Sequence, residues 1–126
     1  INRTFEAITD GVLINLEILA DDYPQEITWE LSNADGIVIY TGGPYAEAMK
    51  HGDTKSVKPY VEAAKVAHAC GLGINAGHDL NLSNLTHFAS NVEHLAEVSI
   101  GHAFTVDCLY RGLKNTTEAY LNALKV

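Results

Sequence analysis

The chain has 126 residues, 47% of them hydrophobic and 19% charged, with a formal charge of −8 at neutral pH. That size and balance suit one soluble domain with a core of its own. Lys and Arg total only 8 and form no stripe, which argues against a nucleic-acid footprint, and no apolar run approaches the roughly 20 residues that span a bilayer. A secretory leader with a basic start and an apolar centre is not evident either. Cys70 and Cys108 are isolated, outside any CxxC or metal-ligand spacing. They read as two buried, reduced thiols of a cytosolic protein rather than as a disulfide. The chain opens at Ile1 and its single methionine is Met49, which reads as the remainder of something longer.

In chain order, Ile1 to Thr9 reads as the end of a helix, and Val12 to Ile18 as a mostly apolar strand after Asp10-Gly11. Asp21-Asp22-Tyr23-Pro24 is a helix start, with Asp as N-cap and Pro in the first turn, and that helix runs to about Asn33. It carries Trp29 as a packing residue. Gly36 to Thr41 is a second strand, apolar on both faces as buried parallel strands are, and Gly42-Gly43-Pro44 breaks it. A helical region follows from Tyr45 to Cys70, interrupted around His51-Gly52-Asp53, with Val57, Val61, Ala64 and Ala67 near helical spacing. The third strand is Gly71 to Ala76, the third helix Asn81 to Val92, and the fourth strand Glu97 to Ile100. The last helix is expected from Phe104 to Leu124, with Val106, Leu109, Tyr110, Leu113, Thr117, Tyr120, Leu121 and Leu124 on one stripe.

Strictly alternating βα units with apolar strands imply an α/β protein with a parallel sheet. Two architectures fit: an open doubly wound sheet, or part of a (β/α)8 barrel. The first strand is not followed by GxGxxG, so the dinucleotide-binding version lacks its fingerprint. In (β/α)8 barrels phosphate is frequently held by the loops after strands seven and eight. Here the last two strands both end in Gly-His at a helix start, as Gly77-His78-Asp79 and as Gly101-His102-Ala103. Glycine lets backbone approach a ligand, and a helix start offers unpaired N–H groups and a positive dipole end to an anion. If these strands are the seventh and eighth, residues 1–126 form the C-terminal half of a TIM barrel, its last four βα units in a single domain.

The same residues resemble the pyridoxine 5′-phosphate synthase family. The likeness is strongest in Tyr40-Thr41 with Pro44-Tyr45-Ala46, in Asn75 to Leu80 with Asn84-Leu85, and in Glu97 to Ala103. The tail Leu109 to Leu113 with Thr116 also fits. The resemblance implies a (β/α)8 barrel that condenses 1-deoxy-D-xylulose 5-phosphate with 3-amino-2-oxopropyl phosphate. The implied products are pyridoxine 5′-phosphate, inorganic phosphate and water, made in the cytoplasm by a homo-oligomer, an octamer in the family, without metal or organic cofactor. It matches His78 to a proton donor, Gly101 and His102 to the phosphate-binding loop, and Asp79 to a neighbouring binding position. The family's N-terminal half, with two acid–base histidines, a glutamate and arginine phosphate contacts, has no counterpart in these residues. Val38 stands where the family carries a glutamate on its sixth strand, and Glu17 on the preceding strand is the carboxylate that could substitute for it.

Read by chemistry alone, His78 is suited to proton transfer because imidazole gives and takes protons near neutral pH. Gly101 and His102 are the better anion site, through backbone N–H groups. Asn75 could orient His78 or serve the strand end, and Thr41 could hydrogen-bond substrate or serve the fold. Asp79 is suited to capping a helix as much as to touching a ligand. His78, Asp79 and His102 could be combined as metal ligands, but no HxH or HExxH spacing supports a metal and none is expected. His51, His68, His87 and His94 read as solvent-facing. The competing function is a half-barrel that binds phosphate without catalysis. No lysine ends a strand, which weakens a Schiff-base lyase.

Overall fold

The computed structural model describes residues 15–18, 36–42 and 44–126, the first of these segments by its backbone alone. The helices expected at Ile1–Thr9 and Asp21–Asn33, and the packing role of Trp29, lie outside the described residues. The described residues form four strands: β1 (Asn15–Ile18), β2 (Gly36–Tyr40), β3 (Gly73–Gly77) and β4 (Leu95–Ser99). Between and after them come α1 (Pro44–Lys50), a 3-10 turn (Thr54–Val57), α2 (Lys58–Ala69), α3 (Leu85–Asn91), α4 (His102–Arg111) and α5 (Leu113–Ala123). The strands pair in parallel in the order β1-β2-β3-β4. Each strand therefore lies beside its predecessor in sequence. Among the described strands the order never reverses, and such a reversal is what defines the switch point of a doubly wound sheet.

Alternation along the strands divides the sheet into two faces. Ile37, Ile39, Ile74 and Ala76 are fully buried in a core with Tyr60, Ala63, Ala64 and Ala67 of α2 and Leu85 and Phe88 of α3. Tyr45, Tyr60 and Phe88 meet edge-to-face, with ring centroids 5.2–5.8 Å apart, the arrangement that aromatic quadrupoles favour. Burial raises the phenols of Tyr45 and Tyr60 above their ordinary range. The opposite face is the open one. Register places Val38, Asn75 and Glu97 in one row across it, and Tyr40, Gly77 and Ser99 in the next.

Local sequence explains how the chain enters β3. Pro59 sits in the first turn of α2, where its missing N–H costs nothing. At the other end Gly71 adopts φ +77°. Its N–H donates to the His68 carbonyl at 2.9 Å while that of Leu72 donates to the Ala67 carbonyl at 3.0 Å, a Schellman closure. The third helix starts at Leu85 and not at Asn81, because Asn81 and Asn84 spend their side chains on the turn before it. The Asn81 N–H donates to Asn84 Oδ1 at 2.8 Å, and the Ser83 N–H to Asn81 Oδ1 at 2.9 Å.

The single helix expected from Phe104 to Leu124 is two helices, parted at Gly112. Its φ of +79° and ψ of 153° fall in a region essentially reserved for glycine. The expected stripe splits there. Tyr120 is buried against Phe104, centroids 5.4 Å apart, and donates to Asp107 Oδ2 at 2.8 Å. Leu109, Tyr110, Leu113 and Leu121 are exposed. Both cysteines are free, but Cys70 is exposed and Cys108 half-buried, against the expectation of two buried thiols. Cys70 caps the C-terminus of α2, and helix ends face solvent. Among the described residues no helix is long and apolar enough to cross a membrane.

Candidate functional site at the strand ends

Because Tyr40, Gly77 and Ser99 are register partners, β2, β3 and β4 end level. Thr41, His78 and the Ile100-Gly101-His102 turn therefore leave the sheet along one rim. Neighbouring strands lie about 4.8 Å apart, so the two Gly-His ends, carried on adjacent strands, open on the same side of the sheet.

Glycine precedes His78 for a visible reason. A Cβ on Gly77 would stand 3.2 Å from the Ser99 carbonyl and 3.3 Å from its Cβ, so a side chain there would crowd β4 and push it back by a few tenths of an ångström. Beyond it the backbone leaves the strand abruptly: His78 has φ +83° and Asp79 φ +56°. Positive φ is uncommon outside glycine and costs of order 1–3 kcal/mol where it persists, so neighbouring groups must hold it. Thr41 does. It is fully buried, and its hydroxyl bonds the Gly77 carbonyl at 2.7 Å and the His78 carbonyl at 2.5 Å, while its N–H donates to the Gly77 carbonyl at 2.7 Å. Its side chain thus serves the protein's own backbone.

Strand alternation alone would send the residue after Gly77 toward the helices. The left-handed turn instead lays the His78 ring against Tyr40 of the open face, centroids 4.5 Å apart, with the Tyr40 hydroxyl 3.5 Å from Nε2. Nδ1 lies 3.2 Å from Asp79 Oδ2, and both side chains are about half exposed, at 53% and 54%. A substrate could reach them. Gly42 closes the group from the side, since a Cβ there would collide with His78 Nδ1 and stand 2.7 Å from the Tyr40 hydroxyl.

Asp79 does not cap α3, whose N-cap is Asn84. Its carbonyl accepts from Asn84 Nδ2 at 3.0 Å, which ties the His78 turn to the helix start. Asn75 lies two residues before Gly77 on β3, in the row of Val38 and Glu97 on the open face. Glu17 is the register partner of Val38 across β1 and β2. Glu97 is exposed and shares the row of Asn75, a placement that only the pairing of β3 with β4 reveals.

The second Gly-His end is built differently. Gly101 is the N-cap of α4 and makes no side-chain cap bond, and His102 is the first helical residue. The N–H groups of that first turn have no intrahelical partner, and they stand at the positive end of the helix dipole. Both residues are exposed. The turn is steadied by Thr105, whose N–H and hydroxyl both donate to the Gly101 carbonyl, at 3.0 and 3.1 Å.

Other histidines stand apart from the rim. His87 is half-buried and not solvent-facing, with Nδ1 3.1 Å from the Tyr45 hydroxyl, which also donates to the Asn84 carbonyl at 2.9 Å. His68 and His94 are exposed and stack face to face with centroids 3.5 Å apart. They precede β3 and β4 and so occupy the other end of the strands. Among the described residues no three His, Cys, Asp or Glu side chains gather as a metal site.

The sequence matches the family described as "Pyridoxal phosphate biosynthesis protein PdxJ" over residues 6–126. The chain belongs to that family. Among curated relatives, pyridoxine 5′-phosphate synthase of Christiangramia forsetii is 50% identical over 94 residues, 75% of this chain and 39% of the relative. The enzyme of the same name from Porphyromonas gingivalis is 46% identical over 112 residues, 88% of this chain and 47% of the relative. That of Bacteroides thetaiotaomicron is 42% identical over 116 residues, 91% of this chain and 48% of the relative. The chain thus spans somewhat less than half the length of these relatives.

Proposed function

We propose that this chain is the C-terminal half of a (β/α)8-barrel pyridoxine 5′-phosphate synthase. In this reading it takes part in condensing 1-deoxy-D-xylulose 5-phosphate with 3-amino-2-oxopropyl phosphate to pyridoxine 5′-phosphate, inorganic phosphate and water. The observation that carries the reading is the His78 turn: an imidazole on a strained backbone at a strand end, clamped from below by Thr41 and open to solvent above. Imine formation, dehydration and ring closure each require a proton to be moved, and His78 is the group that moves it. The first turn of α4, at Gly101 and His102, binds a substrate or product phosphate. Binding energy there holds the two phosphorylated reactants in reacting geometry beside His78. Asp79 acts at the same end of the site, Thr41 and Asn75 support it, and no metal or organic cofactor is invoked. The barrel, a cytoplasmic homo-oligomer of the octameric kind, is the setting in which the site works. The sequential strand order β1-β2-β3-β4 supports the barrel, since each strand adds to the same growing edge.

A second reading has a specific observation in its favour. Val38 occupies the open face in the row of Asn75 and Glu97 and supplies no acid or base. In this reading the chain binds phosphate without turnover. The test is pyridoxine 5′-phosphate formation from the two phosphorylated substrates, with wild-type chain and His78→Ala side by side. The enzyme reading expects product from wild type, a fall of about 10²–10⁴-fold in His78→Ala, and phosphate affinity nearly unchanged. Phosphate binding by a wild-type chain that forms no product would favour the module instead.

A further inference from the structure

We infer that Tyr40 is a positioning residue for the proton chemistry of His78, acting with Asp79 to select which imidazole nitrogen is free to work. The inference rests on the reading of His78 as the proton-transfer group and deepens it. The two ring nitrogens face different chemistry. Nδ1 lies 3.2 Å from the Asp79 carboxylate, and a carboxylate that only accepts favours a hydrogen on that nitrogen. Nε2 of the neutral ring is then an acceptor, and the Tyr40 hydroxyl, 3.5 Å away, is the donor that meets it. The opposite tautomer would turn the Nδ1 lone pair toward the carboxylate, and it would oblige the phenol to accept. Both neighbours therefore favour the Nδ1–H form, leaving Nε2 as the nitrogen that exchanges protons with substrate. At 3.5 Å the contact stands at the long end of the hydrogen-bond range.

Three further features make this arrangement specific. The rings of Tyr40 and His78 lie 4.5 Å apart at 42°, so the tyrosine supports the imidazole by its body as well as by its hydroxyl. Gly42 leaves the space both groups occupy, because a Cβ there would collide with Nδ1 and crowd the phenol oxygen. Positive φ at His78 and Asp79, held by the Thr41 bonds, brings the imidazole to Tyr40 in the first place. Tyr40 itself ends β2 in register with Gly77, so its position is set by the sheet and not by a loop.

The deciding measurement is the side-chain ¹⁵N spectrum of His78 in the full 126-residue chain, taken at a pH where the imidazole is neutral and assigned with His78→Gln. Wild type is expected mainly as the Nδ1–H tautomer. Tyr40→Phe keeps the ring and removes the hydroxyl, and is expected to raise the ratio of Nε2–H to Nδ1–H forms about three- to tenfold, the weight of one hydrogen bond. Asp79→Asn is expected to raise it as well. A wild-type spectrum dominated by Nε2–H, or a ratio unchanged in Tyr40→Phe, would overturn the assignment. A purely structural tyrosine would leave the ratio where it was. The readout needs no turnover, so a chain that forms no pyridoxine 5′-phosphate yet shows the tautomer shift would count against turnover by this chain while leaving the effect of Tyr40 on the His78 tautomer standing.

Discussion

At the β2–β3 end of the sheet, His78 is held by groups from three directions: Thr41 beneath its backbone, Tyr40 and Gly42 beside its ring, and Asp79 at Nδ1. At the β4–α4 end, Gly101 and His102 are exposed, no side chain caps the helix, and α4 has no buried residue. The contrast follows the core. The aromatic cluster of Tyr45, Tyr60 and Phe88 lies under β2 and β3, while β4 has only Leu95 and Val98 packed against that core at its edge. In the proposed reading the better-packed end is the one that transfers protons, which must be held to within a fraction of an ångström, and the more open end is the one that grips an anion through backbone N–H groups.

The sharpest way to break this comparison is to remove the packing beneath the rigid end. Phe88→Ala, at a fully buried ring, should cost about 3–5 kcal/mol in urea unfolding and dissolve the His78 turn with it. A loss below 1 kcal/mol would show that the β2–β3 end does not rest on the aromatic cluster. Thr41→Val is the finer cut. It deletes a hydroxyl bonded to two buried or part-buried carbonyls, and should cost about 1–3 kcal/mol. Because His78 has lost its clamp, its ring contact with Tyr40 should weaken in the same variant, seen as loss of the nuclear Overhauser effect between the two rings. Stability lost with that contact intact would mean that Thr41 serves the sheet and not the turn.

At the other end the sensitive position is backbone. Gly112→Ala meets no atom, since nothing lies within 4 Å of the added Cβ. It should still cost about 1–3 kcal/mol, because φ +79° with ψ 153° is strained for any side chain. Unchanged stability would mean that α4 and α5 fuse into one helix in the variant, which far-ultraviolet circular dichroism would detect as added helix.

That fused helix is what the sequence alone suggests, and the reason is instructive. Apolar residues recur at helical spacing straight through Gly112, and periodicity outvotes one glycine even though the residue after a helix is where glycine is expected. The strands and the alternation were legible because apolar runs bounded by glycine and proline are local signals. The Gly-His ends were legible as a shared rim for the same reason. What was hidden depends on partners distant in sequence. Thr41 could not be read as the clamp on residues 77 and 78, nor Tyr40 as the neighbour of His78, before β2 and β3 were paired in register. Asn84 is hidden differently: asparagine before an apolar run signals a cap, yet here its side chain reaches back to Asn81 and Asp79. Exposure of Cys70 follows from its place at a helix end, which a count of cysteines does not reveal.

The smallest expected effect concerns the outer face of α4. Leu109 is 81% exposed and Tyr110 86%, so truncating either removes little apolar area from contact with protein. Leu109→Ser should therefore change stability by less than about 0.5 kcal/mol, against the several kcal/mol expected at Phe88. Large exposed apolar side chains that cluster mark contact surfaces, and Leu113, the first residue of α5, is also exposed. If the chain buries this face against a second copy, Leu109→Ser would lose well over 1 kcal/mol, and that loss would grow with protein concentration. Unfolding at two concentrations, tenfold apart, separates the cases. A concentration-independent change below 0.5 kcal/mol would confine the structural weight of this chain to β2, β3 and the helices over them. A concentration-dependent loss would make the β4–α4 end a part whose packing is completed by another subunit, and its exposure would then be a property of the isolated chain.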